Sequence, residues 1–398
     1  MAPTLGGVTG LDQDRIRVRR WEGSDINLGT VLERLAAQQA ELAAHDVDDD
    51  DHPHPRNCAL NLVVGLDNRH RATACDKLVG SLAATHPLRA ILVHLHGGRG
   101  PDGIDAEITT EAHQLVQGFP VQREQILLHV RGEAAHHLAS LVEPLLVPDV
   151  PTYLWWSGRE HLDEGTIRDA MLFSDVLVVD SLRFEHPVGA LLEVARLVAS
   201  ADEPPIGVAD FRWGRMRPWR DAISQFFAPA ARLPLLRELR EVDVTAAGTG
   251  PGGQVGAALL AGWLTRALGW RLSEVRTSGD DGVDASAAAE GPDAARVRLR
   301  LRSVANDRLA HGELLTVRLA GRARGKPFAL LIERDPGGAD HAHVTIDLGG
   351  MAPLRQRLTL PRAGDSDLLV QALWAGRREQ VFLGALRGAT PVLEALAS

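Results

Sequence analysis

The sequence predicts an α/β N-terminal domain with a mostly parallel sheet flanked by helices, followed by an α+β C-terminal domain with an antiparallel sheet. Three observations carry that expectation. The 398 residues exceed what one hydrophobic core usually serves, since domains cluster near ~100–200 residues. Up to about residue 227, short apolar runs alternate with helical patterns, as in a parallel sheet covered on both faces. From about Pro234 the runs follow one another through short turns, as in an antiparallel meander. The expected divisions are 1–57 (N-terminal helix and acidic linker), 58–233 (α/β domain) and 234–398 (α+β domain).

In chain order, residues 1–27 read as a lead-in, and Asn27 or Thr30 caps a helix through about Ala44. Asp46 to Pro55 is an acid-rich, Pro-punctuated linker; its His52 and His54 are too loosely held for a metal site. Strands are expected at Cys58–Val64 and Arg89–Leu95, with a helix at Arg71–Thr85 between them. Ala106–Thr110 and Glu124–Val130 read as antiparallel or edge strands. A helix over Glu133–Leu146 leads to a strand at Thr152–Trp156. Helix His161–Met171, strand Asp175–Val179, helix Val188–Ala199, strand Ile206–Ala209 and helix Arg217–Phe227 complete the first domain. The second domain opens with a strand at Leu239–Ala246 and a helix at Gln254–Leu268, then a Gly-, Asp- and Ala-rich loop over Asp280–Asp293. Alternating runs at 297–301, 314–320, 328–333, 343–348 and 354–360 form the meander, and helices 365–375 and 379–396 cover it.

Composition narrows the function classes. With 43 basic and 52 acidic residues the net charge is −9, which argues against nucleic-acid or anionic-membrane binding as the chain's main role. Two cysteines, Cys58 and Cys75, exclude a disulfide framework and fit a reducing cytoplasm. The first residues show no basic and apolar pattern of a secretory signal, and no run of ~18 uncharged apolar residues occurs. The expected protein is cytoplasmic, with neither membrane nor nucleic acid among its partners. Tryptophan is oddly frequent, with 8 Trp against 8 Phe and 1 Tyr.

Two glycine patterns resemble a dinucleotide loop, whose chemistry requires a helix N-terminus directly behind the glycines. After Gly98-Arg-Gly-Pro-Asp-Gly103 the residues alternate like a strand, so that context fails. Gly248-Thr-Gly-Pro-Gly-Gly253 opens a good helix, which makes Gly248, Gly250 and Gly253 candidate phosphate-binding positions against the simpler reading of a surface turn. No nucleophile elbow, zincin motif or P-loop lysine occurs, the sixteen histidines are scattered, and no catalytic residue, metal or cofactor is expected.

A set of strand-end segments stands out instead. Trp156, Asp180 and Asp210 leave the sheet at carboxyl ends of strands, where α/β sheets place their sites. Arg183, Arg212, Arg215, Arg217 and Arg220, with Trp213 and Trp219, follow close by. The cluster reads either as an anion- or partner-binding rim or as arginines that are solvated or paired with acids, with Trp155 pointing into the core.

Together these segments resemble the glucose-6-phosphate dehydrogenase assembly proteins, the OpcA family of bacteria. The likeness rests on Asn61-Leu-Val-Val, His86-Pro-Leu-Arg89, Glu124-Gln-Ile, Pro144-Leu-Leu-Val-Pro-Asp-Val-Pro with Trp155-Trp156, and Asp180-Ser181. Asp210-x-x-Trp213 with Pro218-Trp219-Arg220, and Leu259-Leu-Ala-Gly-Trp-Leu264, extend it. The resemblance implies a non-catalytic protein that binds glucose-6-phosphate dehydrogenase and favours its active oligomer in the oxidative pentose phosphate pathway. Candidate partner-binding residues are then Trp156, Asp180, Arg183, Asp210, Trp213, Arg215, Trp219 and Arg220. The alternative is a nucleotide- or sugar-phosphate-binding enzyme or sensor using Gly248–Gly253 or the Arg212–Arg220 cluster.

Overall fold

The computed structural model describes residues 16–43, 58–66, 75, 77–80, 82, 87–96, 101–113, 121–157, 169, 171–199, 206–279, 282–289, 296–336, 338, 340–375 and 380–398. The acidic linker at 46–55 lies outside them, as do Gly98 and Gly100 and most of the expected helices at 71–85 and 161–171. By internal contacts the chain forms two units, residues 1–158 with 168–177, and 159–167 with 178–398.

The first unit is built on strands that are apolar along their whole length. β2 (Leu60–Leu66) and β6 (Thr152–Trp156) are buried almost throughout, as is β3 (Leu88–His96) up to its last two residues. Continuous burial is what a sheet covered on both faces demands. β2 pairs in parallel with β3 and β6, and β3 in parallel with β5 (Val121–Arg131). β4 (Gly103–His113) then pairs antiparallel with β5. β5 is therefore an interior strand with one parallel and one antiparallel neighbour, so of the expected antiparallel or edge placement the antiparallel pairing holds and the edge does not. The edge is β1 (Ile16–Gly23), antiparallel to β4 and concealed in the expected lead-in because consecutive charged residues, Arg19 and Arg20, break its apolar alternation. Helix α1 (Leu28–Ala43) follows, with Asn27 Oδ1 accepting from the Thr30 N–H at 2.9 Å. The single helix expected over Glu133–Leu146 is instead a 3₁₀ turn (Gly132–His136), α2 (Leu138–Val142) and another 3₁₀ turn (Glu143–Leu145). Pro144, which has no N–H to continue a helix, lies in the last of these.

Two buried clips lock this unit, and both use residues that carry the family resemblance. Asn61 donates through Nδ2 to the Val147 carbonyl and accepts the Val147 N–H at Oδ1, each at 2.9 Å. Arg89 donates to Glu124 Oε2 from Nε at 2.7 Å and to the Leu145 carbonyl from NH1 at 2.6 Å.

The second unit takes β7 (Val176–Val179) from Val178 onward, with α3 (Pro187–Ala199) leading to β8 (Gly207–Asp210), the neighbour of β7. α4 (Phe211–Arg215) and α5 (Arg217–Phe227) follow β8 directly. An eight-stranded sheet has β9 (Leu239–Ala247) near its middle. On one side lie β12 (Val297–Val304), β11 (Gly282–Ala289) and β10 (Trp270–Thr277). On the other lie β13 (Leu314–Ala323), β14 (Lys326–Arg334), β15 (His341–Asp347) and β16 (Leu354–Thr359). Its strand pairs are antiparallel except β9 with β12, so the expected antiparallel sheet contains one parallel pair. The segment expected to be a loop is largely β11: Val283, Ala285 and Ala287 face the core, but alanine, glycine and aspartate are weak strand formers that hide the alternation.

Two apolar helices pack on each other, α7 (Val255–Ala267), which follows the short turn α6 (Gly250–Gly253), and α9 (Gln380–Ala397). A Cβ on Gly262 would strike the backbone at Ala385 and Ala389, and one on Gly388 the backbone of Gly262, so the glycines set the approach. α3 also packs on α9, which is why the units part before the expected boundary at 233/234. Among the described residues no helix is long and apolar enough to cross a membrane.

Candidate functional site

Strands β7 and β8 are fully buried apolar runs that end in polar residues, Asp180-Ser181 after one and Asp210 at the end of the other. Asp210 has extended backbone and caps α4, its carboxylate accepting the Arg212 N–H at 2.9 Å and the Ser181 N–H at 3.1 Å. Ser181 Oγ donates to Asp210 Oδ2 at 2.6 Å and accepts from Arg212 Nε at 3.0 Å. Arg212 also donates to the Ser181 and Gly312 carbonyls at 2.9 and 3.3 Å. A serine, a carboxylate and an arginine so arranged resemble a catalytic set, but Ser181 is 0%, Arg212 2% and Asp210 4% exposed. No substrate reaches such a hydroxyl; the trio ties two strand ends together.

A second layer lies around it. Asp180 takes both terminal nitrogens of Arg215, at 2.7 and 3.1 Å, and Arg183 Nε at 2.8 Å. Arg183 and Arg215 both reach Asp365, at 2.6 and 3.0 Å, closing a ring of two arginines and two aspartates. Asp365 begins helix α8 (Asp365–Ala375), where the helix dipole favours a carboxylate. Burial pushes Asp210 above the usual aspartate range, against its bonds from Ser181, and lowers Arg212 to about 10. Burial works against the charge of Arg215 too, but the bond to Asp180 and the charges of Asp180, Asp365 and Asp210 outweigh it, so its pKa is raised.

Because the folded state holds the Asp210 proton more tightly than the unfolded chain does, its contribution to stability is complete below about pH 3.9. It is lost as pH rises through the folded value. Asp210→Asn is therefore expected to gain on the wild type in urea midpoint as pH rises above about 4. A difference that stays constant over that range would show that Asp210 does not change charge there.

The candidate partner residues thus divide. Trp213 and Trp219 are 3% and 2% exposed, so the expectation that they are surface anchors is corrected: they are core side chains. Arg220 lies 3.6 Å above the Trp213 ring and donates to the Trp213 carbonyl at 2.6 Å. Arg334 lies 5.5 Å from the Trp219 ring. Trp156 belongs to the first unit, is 8% exposed, and lies across Gly65, where a Cβ would come within 2.7 Å of the indole. Arg183 keeps an exposed face, with 40% of its side chain accessible. Asp180 and Asp365 match the charges of Arg183 and Arg215, while the guanidinium of Arg212 is spent on Ser181 and the Gly312 carbonyl.

The glycine turn is likewise explained by packing. The ring of His311 occupies the space of a Cβ on Gly248, and Gly253 lies against Ser303. Gly248 and Gly250 have φ of +118° and +65°. His311 Nε2 is 2.9 Å from the Thr249 carbonyl. A cavity of about 560 Å³ adjoins the turn, lined in part by Arg212, Gly252, His186 and His311. Sequence reasoning missed Asp365, which lies 150 positions from its partner Arg215, and it missed that three histidines meet.

Comparison with known proteins supplies what this geometry leaves open. A family model described as glucose-6-phosphate dehydrogenase subunit N-terminal domain matches residues 79–196, and one described as its C-terminal domain matches 206–386. The chain belongs to the OpcA glucose-6-phosphate dehydrogenase assembly family. The OxPP cycle protein OpcA of Synechocystis is 24% identical over 195 residues, 48% of this chain and 39% of that protein. The OpcA of Nostoc punctiforme is 24% identical over 214 residues, 51% of this chain and 43% of that one. The matches thus span about two-fifths of these relatives' length. Among solved structures, an oxidoreductase from Sinorhizobium meliloti aligns at a TM-score of 0.46 and 14% identity, covering 86% of this chain and 97% of that one. The arginine ring and the trio at Asp210 fall within the two family matches of this OpcA chain.

Proposed function

We propose that this OpcA-family chain is a non-catalytic assembly factor that binds glucose-6-phosphate dehydrogenase and favours its active oligomer in the oxidative pentose phosphate pathway. The observation that carries the reading is membership of that family across both halves of the chain. The sealed Ser181–Asp210–Arg212 trio and the charge-balanced ring around Asp180 support it, since they build a stiff scaffold rather than a reaction centre. Such a protein works by differential affinity: a tenfold shift toward the active oligomer needs only about 1.4 kcal/mol.

The anchor of that contact is Trp374. It is 78% exposed on α8, the helix whose first residue closes the arginine ring, and Val381 on α9 is 55% exposed. Tryptophan is the residue type most enriched among binding hot spots. Arg183, at the exposed side of the ring, contributes to the polar rim.

Titration of the chain into purified glucose-6-phosphate dehydrogenase, followed by sedimentation velocity and initial rates, is expected to show a joint complex and raised activity. No co-sedimentation and unchanged rates would refute the reading. Trp374→Ala is expected to weaken association by about 2 kcal/mol, roughly 30-fold, with the melting temperature of the isolated chain unaltered. Equal affinity of the variant would remove this face from the interface and leave the assembly role to be carried elsewhere on the chain.

A further inference from the structure

The first unit brings together three histidines that no role above uses. His94 and His96 are two positions apart at the end of β3, so both project from the same face of the strand. In the parallel register β3 to β5, His129 stands directly beside His94. His129 Nδ1 is 3.2 Å from His94 Nδ1 and 3.3 Å from His96 Nε2, and one ligand nitrogen of each ring lies within 4.8 Å of the others. His94 is buried, while His96 and His129 are half-buried, which leaves a path from solvent.

A neutral ring nitrogen has either one proton or one in-plane lone pair, so His129 Nδ1 serves a single hydrogen-bond partner well, not two. Three nitrogens converging on one point suit a cation between them. Zinc binds imidazole nitrogen at about 2.0–2.1 Å in tetrahedral geometry, which sets neighbouring ligand nitrogens about 3.3–3.4 Å apart. The separations of His129 Nδ1 from His94 and His96, 3.2 and 3.3 Å, fall close to that value. The surroundings balance the charge: β4 sets Asp105 opposite His129, and the Asp105 carboxylate is bonded by Arg131 and by the Asp25 N–H at 2.9 Å. The Arg131 charge, which would oppose a dication, is thereby matched by Asp105.

We infer that His94, His96 and His129 form a site for a divalent transition-metal ion of the zinc class, with three protein ligands and the fourth position left to water or a small anion. The inference is independent of the assembly role. It is tested by calorimetric titration of zinc into the full, metal-stripped chain at pH 7.5, with cobalt absorption as a second readout. The expected result is one ion per chain and an intense tetrahedral-type cobalt spectrum. His96→Ala and His129→Gln, at half-buried positions, are each expected to lose at least 100-fold in affinity. His343→Ala, at an exposed histidine of the second unit, should bind as the wild type does. Absence of stoichiometric binding by the wild-type chain would overturn the inference, as would unaltered affinity in both the His96 and the His129 variants. Circular dichroism of each variant establishes that it is folded.

Discussion

A chain carrying Arg89→Met is expected to lose about 3–5 kcal/mol of unfolding free energy, read as a lower urea midpoint at unchanged slope. Arg89 and Glu124 have side chains only 6% and 7% exposed and meet at 2.7 Å. Removing the guanidinium strands a carboxylate in the interior, where Gln39 Nε2 donates to its other oxygen at 3.0 Å. It also takes a donor from the Leu145 carbonyl and so frees the turn before β6. Because such a pair is costly to break yet adds little over apolar residues of similar size, Arg89→Met with Glu124→Leu should recover much of the loss. A loss under about 1 kcal/mol in the single variant would mean that Glu124 regains solvent or a proton without effort.

Asp180→Ala should be nearly as damaging, costing about 3 kcal/mol, the lower end for a broken buried pair because Arg183 stays partly in water. It removes the carboxylate that holds Arg183 and both nitrogens of Arg215, leaving the two arginines to share Asp365. The same truncation at Asp365, whose side chain is 30% exposed, should cost clearly less. Thermal melts of the two variants in parallel check the order. Equal losses would show that the ring acts as one network rather than through its buried member.

Most of the scaffold is legible in the sequence where burial writes a plain pattern. Leu60-Asn-Leu-Val-Val and Val176-Leu-Val-Val need no partner to identify them as interior strands. β1 is harder, since Ile16-Arg-Val-Arg-Arg pairs with β4 some ninety residues away. Sequence spacing shows that Asp180, Asp210 and the arginines after β8 are neighbours, but not that they neutralise one another. That depends on Asp365, which no local pattern connects to them. The tryptophans show the same limit. Trp213 and Trp219 lie in a basic segment that reads as surface, yet the arginines cover them, while Trp374 sits unremarked in an apolar helix and points outward. The histidines at 94 and 96 have a legible signal in their spacing along a strand; only the register supplies His129.

The parallel pairing of β9 with β12 has a consequence for synthesis of the chain. β9 is finished at residue 247, but its neighbour on one side ends at 304 and on the other at 323. As the chain leaves the ribosome, more than fifty residues emerge before either flank of β9 is paired, and with it Val242, Val244 and Ala246 wait for their sheet. Helix α7, complete by residue 267 and packed against β9, offers an apolar surface to shelter them in that interval. The glycine-tight seat that later receives α9 therefore first belongs to a helix standing guard over an unfinished strand.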